Sequence, residues 1–167
     1  MLWLYLALLA YFINAVVFVV DKYLLAGHMP KYHAYAFGVA ILSLGVVFLI
    51  PFGVYLPTLN HFFLMIMSGA VFFVGLMFLY KTVKESDVSI AATQVGTMGA
   101  VFTYLFSVVI LKDILSPLNF VAFLFLVLGI FLLGKIEKRI LVWAIFAGIS
   151  FGAYYVLLKL SFNVAGF

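Results

Sequence analysis

Six apolar runs, each long enough to cross a bilayer, follow one another with only short breaks, and that pattern leaves few folds open. A spanning helix needs about 20 mostly apolar residues. Such stretches cover about 2–25, 32–50, 61–81, 88–111, 118–134 and 140–162. In hydrocarbon every backbone N–H and C=O must be satisfied inside the protein, so the choice is between helices and a closed barrel. The runs show no apolar/polar alternation and are about twice the length of a barrel strand. The predicted class is therefore all-α and integral to the membrane, a polytopic bundle of six transmembrane helices.

Charge agrees with this. Only 8% of residues are charged, against about a quarter in soluble domains, which excludes a soluble core. The breaks "AGHMPK", "TVKESD", "KDILSP" and "KIEKR" are short, so consecutive helices are antiparallel neighbours. Pro51 and Pro57 close the second helix, and Ser116-Pro117 opens the fifth, the position where a missing N–H costs nothing. The start, "MLWLYLALLAYFINA", lacks a basic leader region and reads as a retained helix.

Several function classes drop out. The chain has no Cys, hence no disulfide or thiolate site. His28, His33 and His61 share no ligand spacing, so no metal and no cofactor is expected. No nucleophile-base-acid constellation or phosphate loop marks an enzyme. The net charge of +4 is scattered between apolar runs as interfacial anchors, not as a nucleic-acid stripe.

A shift of 137 residues lays "NAVVFVVDKYLL" of the first helix over "FGAYYVLLKLSF" of the sixth, with Ala15 on Gly152, Phe18 on Tyr155, Val19 on Val156 and Lys22 on Lys159. One repeat unit then holds five helices. Because five is odd, a second unit crosses the membrane the other way, the inverted plan of many secondary transporters. Residues 1–136 read as the first unit and 137–167 as the opening helix of a second. The chain is expected to be partial, acting with a missing second half or as a homodimer.

The fourth helix carries Ser89, Thr93, Gly96, Ala100, Thr103 and Ser107 at spacings of four and three, which puts them on one face. Such a small, mildly polar stripe marks a helix contact or a cavity wall, packing being its commoner role. Gln94, Thr97 and Tyr104 flank it and can reach a solute. Ala144, Gly148 and Gly152 form a second small seam, read as packing.

The segments "LYKTVKESDVSIAA", "AVFTYLFSVVILKDILS" and "LGIFLLG", with the Asn and terminal Lys of the first helix, resemble the EamA-like domain of the drug/metabolite transporter superfamily. The resemblance implies ten helices in two inverted halves moving small metabolites or drug-like solutes, in a prokaryotic cytoplasmic (inner) membrane. Two positions depart from the family pattern: Ala100 stands where a proline is usual, and Asp113 replaces a glutamate.

Ionisable groups inside a membrane are functional candidates by default, but depth decides. Asp21, Lys22, Lys81, Lys112, Asp113 and Lys159 lie near helix ends, where long side chains reach the interface. Lys22, Lys159 and Asp113 are candidates for gating or anchoring, and Asp21 for neutralising Lys22. Asn14 sits near mid-helix on a face with Ala7, Ala10, Val17 and Asp21, as an interhelical hydrogen bond or part of a solute site. No helix centre holds an acidic residue, so a carboxylate proton-exchange mechanism has no support.

The expected function is alternating-access transport of a small solute, with the first, third and fourth helices lining a site contacted by Asn14, Tyr80, Gln94, Thr97 and Tyr104. The alternative is a membrane scaffold that docks other helices through the stripe. Orientation is in conflict. Seven Lys and Arg residues follow the odd-numbered helices and two follow the even-numbered ones, which puts the N-terminus outside. The resembling family keeps it inside, and the count weakens where Lys22 and Lys81 serve the cavity.

Overall fold

The computed structural model describes residues 2–28, 31–45, 48, 59–112, 114–133 and 137–165. Six α-helices account for most of them: α1 (Leu2–Tyr23), α2 (Tyr32–Ser43), α3 (Leu59–Glu85), α4 (Val88–Phe106), α5 (Pro117–Leu133) and α6 (Lys138–Ala165). Single π-helical turns continue α1 over Leu24–His28 and α4 over Ser107–Leu111. Four stretches, Leu4–Gly27, His61–Glu85, Val88–Leu111 and Lys138–Phe162, are long and apolar enough to span a membrane. α2 and α5 have 12 and 17 residues. The remainder of the predicted 32–50 span falls largely outside the described residues.

Two local devices make the tight connections. Only Ser86 and Asp87 separate α3 from α4, so these helices are antiparallel neighbours. At the other end of α4, Lys112 takes a left-handed conformation (φ 56°) and its N–H returns to the Ser107 carbonyl, which ends the helix. The Ser116 hydroxyl and carbonyl then accept from the N–H groups of Asn119 and Phe120, and Pro117 starts α5 where its lack of an N–H is harmless.

α6 is the axis of the bundle, packing chiefly against α3 and α4. Against α4 it runs parallel and very close. A Cβ built on Gly148 would lie 2.6 Å from the Met98 carbonyl carbon, and one on Gly152 would lie 2.8 Å from the Phe102 carbonyl carbon and Thr103 nitrogen. Only glycine permits this backbone-to-backbone approach, which replaces the hydrophobic driving force that lipid removes. The predicted seam of Ala144, Gly148 and Gly152 is this contact. Against α3, α6 runs antiparallel through aromatic pairs: Phe72 with Tyr154 (4.8 Å between centroids) and Phe78 with Phe146 (5.3 Å).

Burial is uneven along the bundle. Leu25, Ala36, Tyr80, Val83, Ala91, Ile140 and Ala144 form a solid core where α1 and α3 end and α4 and α6 begin. That end also carries Lys22, Lys31, Lys81, Lys84, Lys138 and Arg139; it is the lysine-rich end below. α1 is the opposite case, exposed at nearly every position from Leu4 to Val20.

Candidate functional site

A half-enclosed cavity of about 930 Å³ lies between α1, α3, α4, α5 and α6, within the usual range for small-molecule sites. Its α4 wall runs from Ala92 to Ser107, about 22 Å at 1.5 Å per residue. Gly96, Ala100, Thr103 and Ser107 of the small-polar stripe form this wall, joined by Val95 and Gly99. Ser89 and Thr93 are not among the lining residues, and the Thr93 hydroxyl donates back to the Ser89 carbonyl at 2.7 Å. The glycines give the cavity its width: a Cβ on Gly96 or Gly99 would meet no atom within 4 Å.

The other walls are aromatic. Tyr11 and Phe18 come from α1, Phe72 from α3, Phe123 from α5, and Phe151 and Tyr155 from α6. Tyr104 closes the α5 side, with its ring 5.2 Å from Phe123 and 6.0 Å from Phe120. Polar character comes from the Asn14 amide, the Thr103 and Ser107 hydroxyls and the tyrosine hydroxyls. The Thr103 hydroxyl gives its proton to the Gly99 carbonyl at 2.7 Å, leaving its oxygen lone pairs to accept. Among the described residues that line the cavity, none is charged.

The predicted contacts separate into two groups. Asn14 and Tyr104 line the cavity, and Asn14 also borders a shallower groove with Ala7, Ala10, Tyr11, Ile13 and Val17. Tyr80, Gln94 and Thr97 are buried and are not among its lining residues. Tyr80 stands edge-on to Tyr35 at 4.8 Å, and the Thr97 hydroxyl donates to the Thr93 carbonyl at 2.7 Å. Tyr11 and Tyr155 escaped the sequence reading, although Tyr11 lies one helical turn before Asn14 and Tyr155 lies beneath Phe18 in the repeat register.

Two of the lysines, Lys22 and Lys81, make specific contacts at the lysine-rich end. Lys22 Nζ donates to the carbonyls of Val83 (2.8 Å), Lys84 (3.2 Å) and Ser86 (2.8 Å). These are orphan carbonyls at the C-terminus of α3, where a cation also meets the negative end of the helix dipole. A hydrogen bond to a charged group contributes about 1.5–3 kcal/mol. Asp21 does not spend its carboxylate on this neighbour: its Oδ1 accepts the Tyr35 hydroxyl at 2.6 Å. Lys81 Nζ sits 3.3 Å from the centroid of Trp143 and 5.6 Å from that of Tyr32, a cation–π clamp. Lys159 is exposed on α6, and Asp113 lies outside the described residues.

The profile of the EamA-like transporter family matches residues 1–135, which is α1 to α5 and stops just before α6. The chain belongs to the EamA-like transporter family. It is thus a multi-pass integral membrane protein of a transporter family, with the bilayer and a small solute as its partners. Among curated proteins and solved structures none matches the chain.

Proposed function

We propose that the chain is a secondary transporter of small, uncharged or amphipathic solutes carrying an aromatic or other planar group, working by alternating access. The observation that carries this reading is the cavity itself: a small, hydroxyl-bearing helix face set opposite a ring of aromatic side chains. An uncharged lining cannot compensate a bare ion taken out of water, whereas aromatic walls give area and preferred geometries to planar groups. Asn14, Tyr104, Thr103 and Ser107 would fix orientation through hydrogen bonds.

Movement would come from rocking of two inverted units, α6 opening the second. Support lies in the repeat register, which also sets Ala7 and Ala10 over Ala144 and Ala147, two residues buried against the α3–α4 core. A second copy of the chain would be one source of the facing unit.

The test is uptake into proteoliposomes of a panel of neutral aromatic, zwitterionic and ionic solutes, with Gly99→Leu as the blocked control. Saturable flux of neutral aromatic members, abolished in Gly99→Leu, is expected. Flux restricted to ions, or flux that ignores Gly99→Leu, would reject the reading.

A further inference from the structure

Asp21 and Lys22 are consecutive on α1, yet they hold different helices. Through Asp21 Oδ1, α1 grips the Tyr35 hydroxyl of α2 at 2.6 Å, and both residues are buried. Through Lys22 Nζ, it grips three carbonyls at the end of α3. Tyr35 in turn stands against Tyr80 of α3, so the three helices close a ring at the lysine-rich end. From Val20 back to Leu4, α1 is exposed apart from Phe18 and Ala7. The polar grip and the apolar contacts of Phe18, Leu24 and Leu25 are its main hold on the bundle.

We infer that Asp21, Lys22 and Tyr35 form a latch that keeps the lysine-rich end of the cavity shut, and that releasing it admits solute from that end. The inference rests on the transport reading above. Three features favour a latch over a fixed strut. The cavity lining reaches Ser107 and Leu115 at the opposite end, whereas at the lysine-rich end Leu25, Val83, Ala91 and Ile140 are fully buried. The bonds that span this plug are polar and sit at helix ends, where water can take over each donor and acceptor when the helices part. Apolar packing in their place would gain no such exchange. Finally, α1 passes straight from the latch into the π-helical turn Leu24–His28, a rare geometry that is frequent at functional sites and would supply a pivot.

The experiment uses the absence of Cys from the chain. Ala92→Cys places one thiol on the cavity wall near the plug, and a membrane-impermeant maleimide reports access in vesicles of each orientation. In the otherwise unaltered chain, labelling is expected from the Leu115 end and protection from the lysine-rich end. Adding Tyr35→Phe, which removes one hydroxyl and keeps the ring, should speed labelling from the lysine-rich end at least fivefold and slow it from the other. Lys22→Met should do the same, and Lys22→Arg should restore most of the protection. Faster labelling from both ends would show plain loosening, and unchanged rates in Tyr35→Phe and Lys22→Met would also overturn the latch. Because access is read without any solute, a latch that responds in a chain that transports nothing would reject the transport reading alone.

Discussion

Two glycine pairs, one on each of two neighbouring helices, do opposite work. Gly148 and Gly152 of α6 bring its backbone against Met98 and Phe102 of α4, leaving no room for even a methyl group. Gly96 and Gly99 of α4 face open space and hollow out the cavity wall. Gly96 on one helix and Gly148 and Gly152 on the other all read as members of small-residue seams, so composition alone does not separate glue from void. What separates them is the partner: α6 presents its own glycines to one face of α4, and the adjacent face meets bulky aromatics that span the gap without filling it.

The comparison can be broken most sharply by exchanging the substitutions. Gly152→Val drives a branched side chain into the backbone at Phe102, and a loss of about 3 kcal/mol or more is expected, at the upper end of overpacking costs; thermal unfolding in detergent would read it, and an unchanged midpoint would refute the close contact. Gly99→Leu should leave that midpoint within a few degrees while abolishing flux, since the side chain enters empty volume. The two together form a double contrast in which stability and transport fail separately.

Smaller effects sharpen the picture at the ends. Lys81→Met removes the cation from above Trp143, and about 1–2 kcal/mol of stability should go with it. Substituting Asn14→Leu with Tyr104→Phe should raise the KM for solute several-fold, whereas Gln94→Ala with Thr97→Val, away from the lining, should act mainly on stability; the reverse order would move the site to the other flank of α4. The smallest change is topological. With Lys22 and Lys81 set aside for their structural contacts, Lys31, Lys84, Lys135, Lys138 and Arg139 still oppose only Lys112 and Lys159. The positive-inside rule therefore still places the N-terminus outside, and Glu137→Cys should react with an impermeant maleimide from the cytoplasmic side only.

The all-α membrane class, the four long spans and the α4 stripe were legible because lipid forces each onto the sequence: backbone satisfaction demands length, and a cavity wall demands small residues at helical spacing. The site was only half legible. Asn14 and Tyr104 stand on the lining, but Tyr80, Gln94 and Thr97 differ from them by a fraction of a helical turn, and that fraction decides which neighbour a side chain meets. The latch was hidden for a related reason. Asp21 and Lys22 are adjacent and of opposite charge, so pairing them with each other was the economical reading. On a helix, neighbours point about 100° apart, and the true acceptors lie 61 to 64 residues downstream.

The near-total exposure of α1 has a physical corollary. Its apolar span of 24 residues is about 36 Å long, against a hydrocarbon thickness of about 30 Å. A helix held chiefly at one end matches that thickness by tilting, here by roughly 30°. Thinner bilayers would lean it further, and the torque arrives where it is held, at Asp21 and Lys22. Membrane thickness thereby becomes a mechanical input to the protein, transmitted by a helix whose described apolar residues are exposed along most of its length.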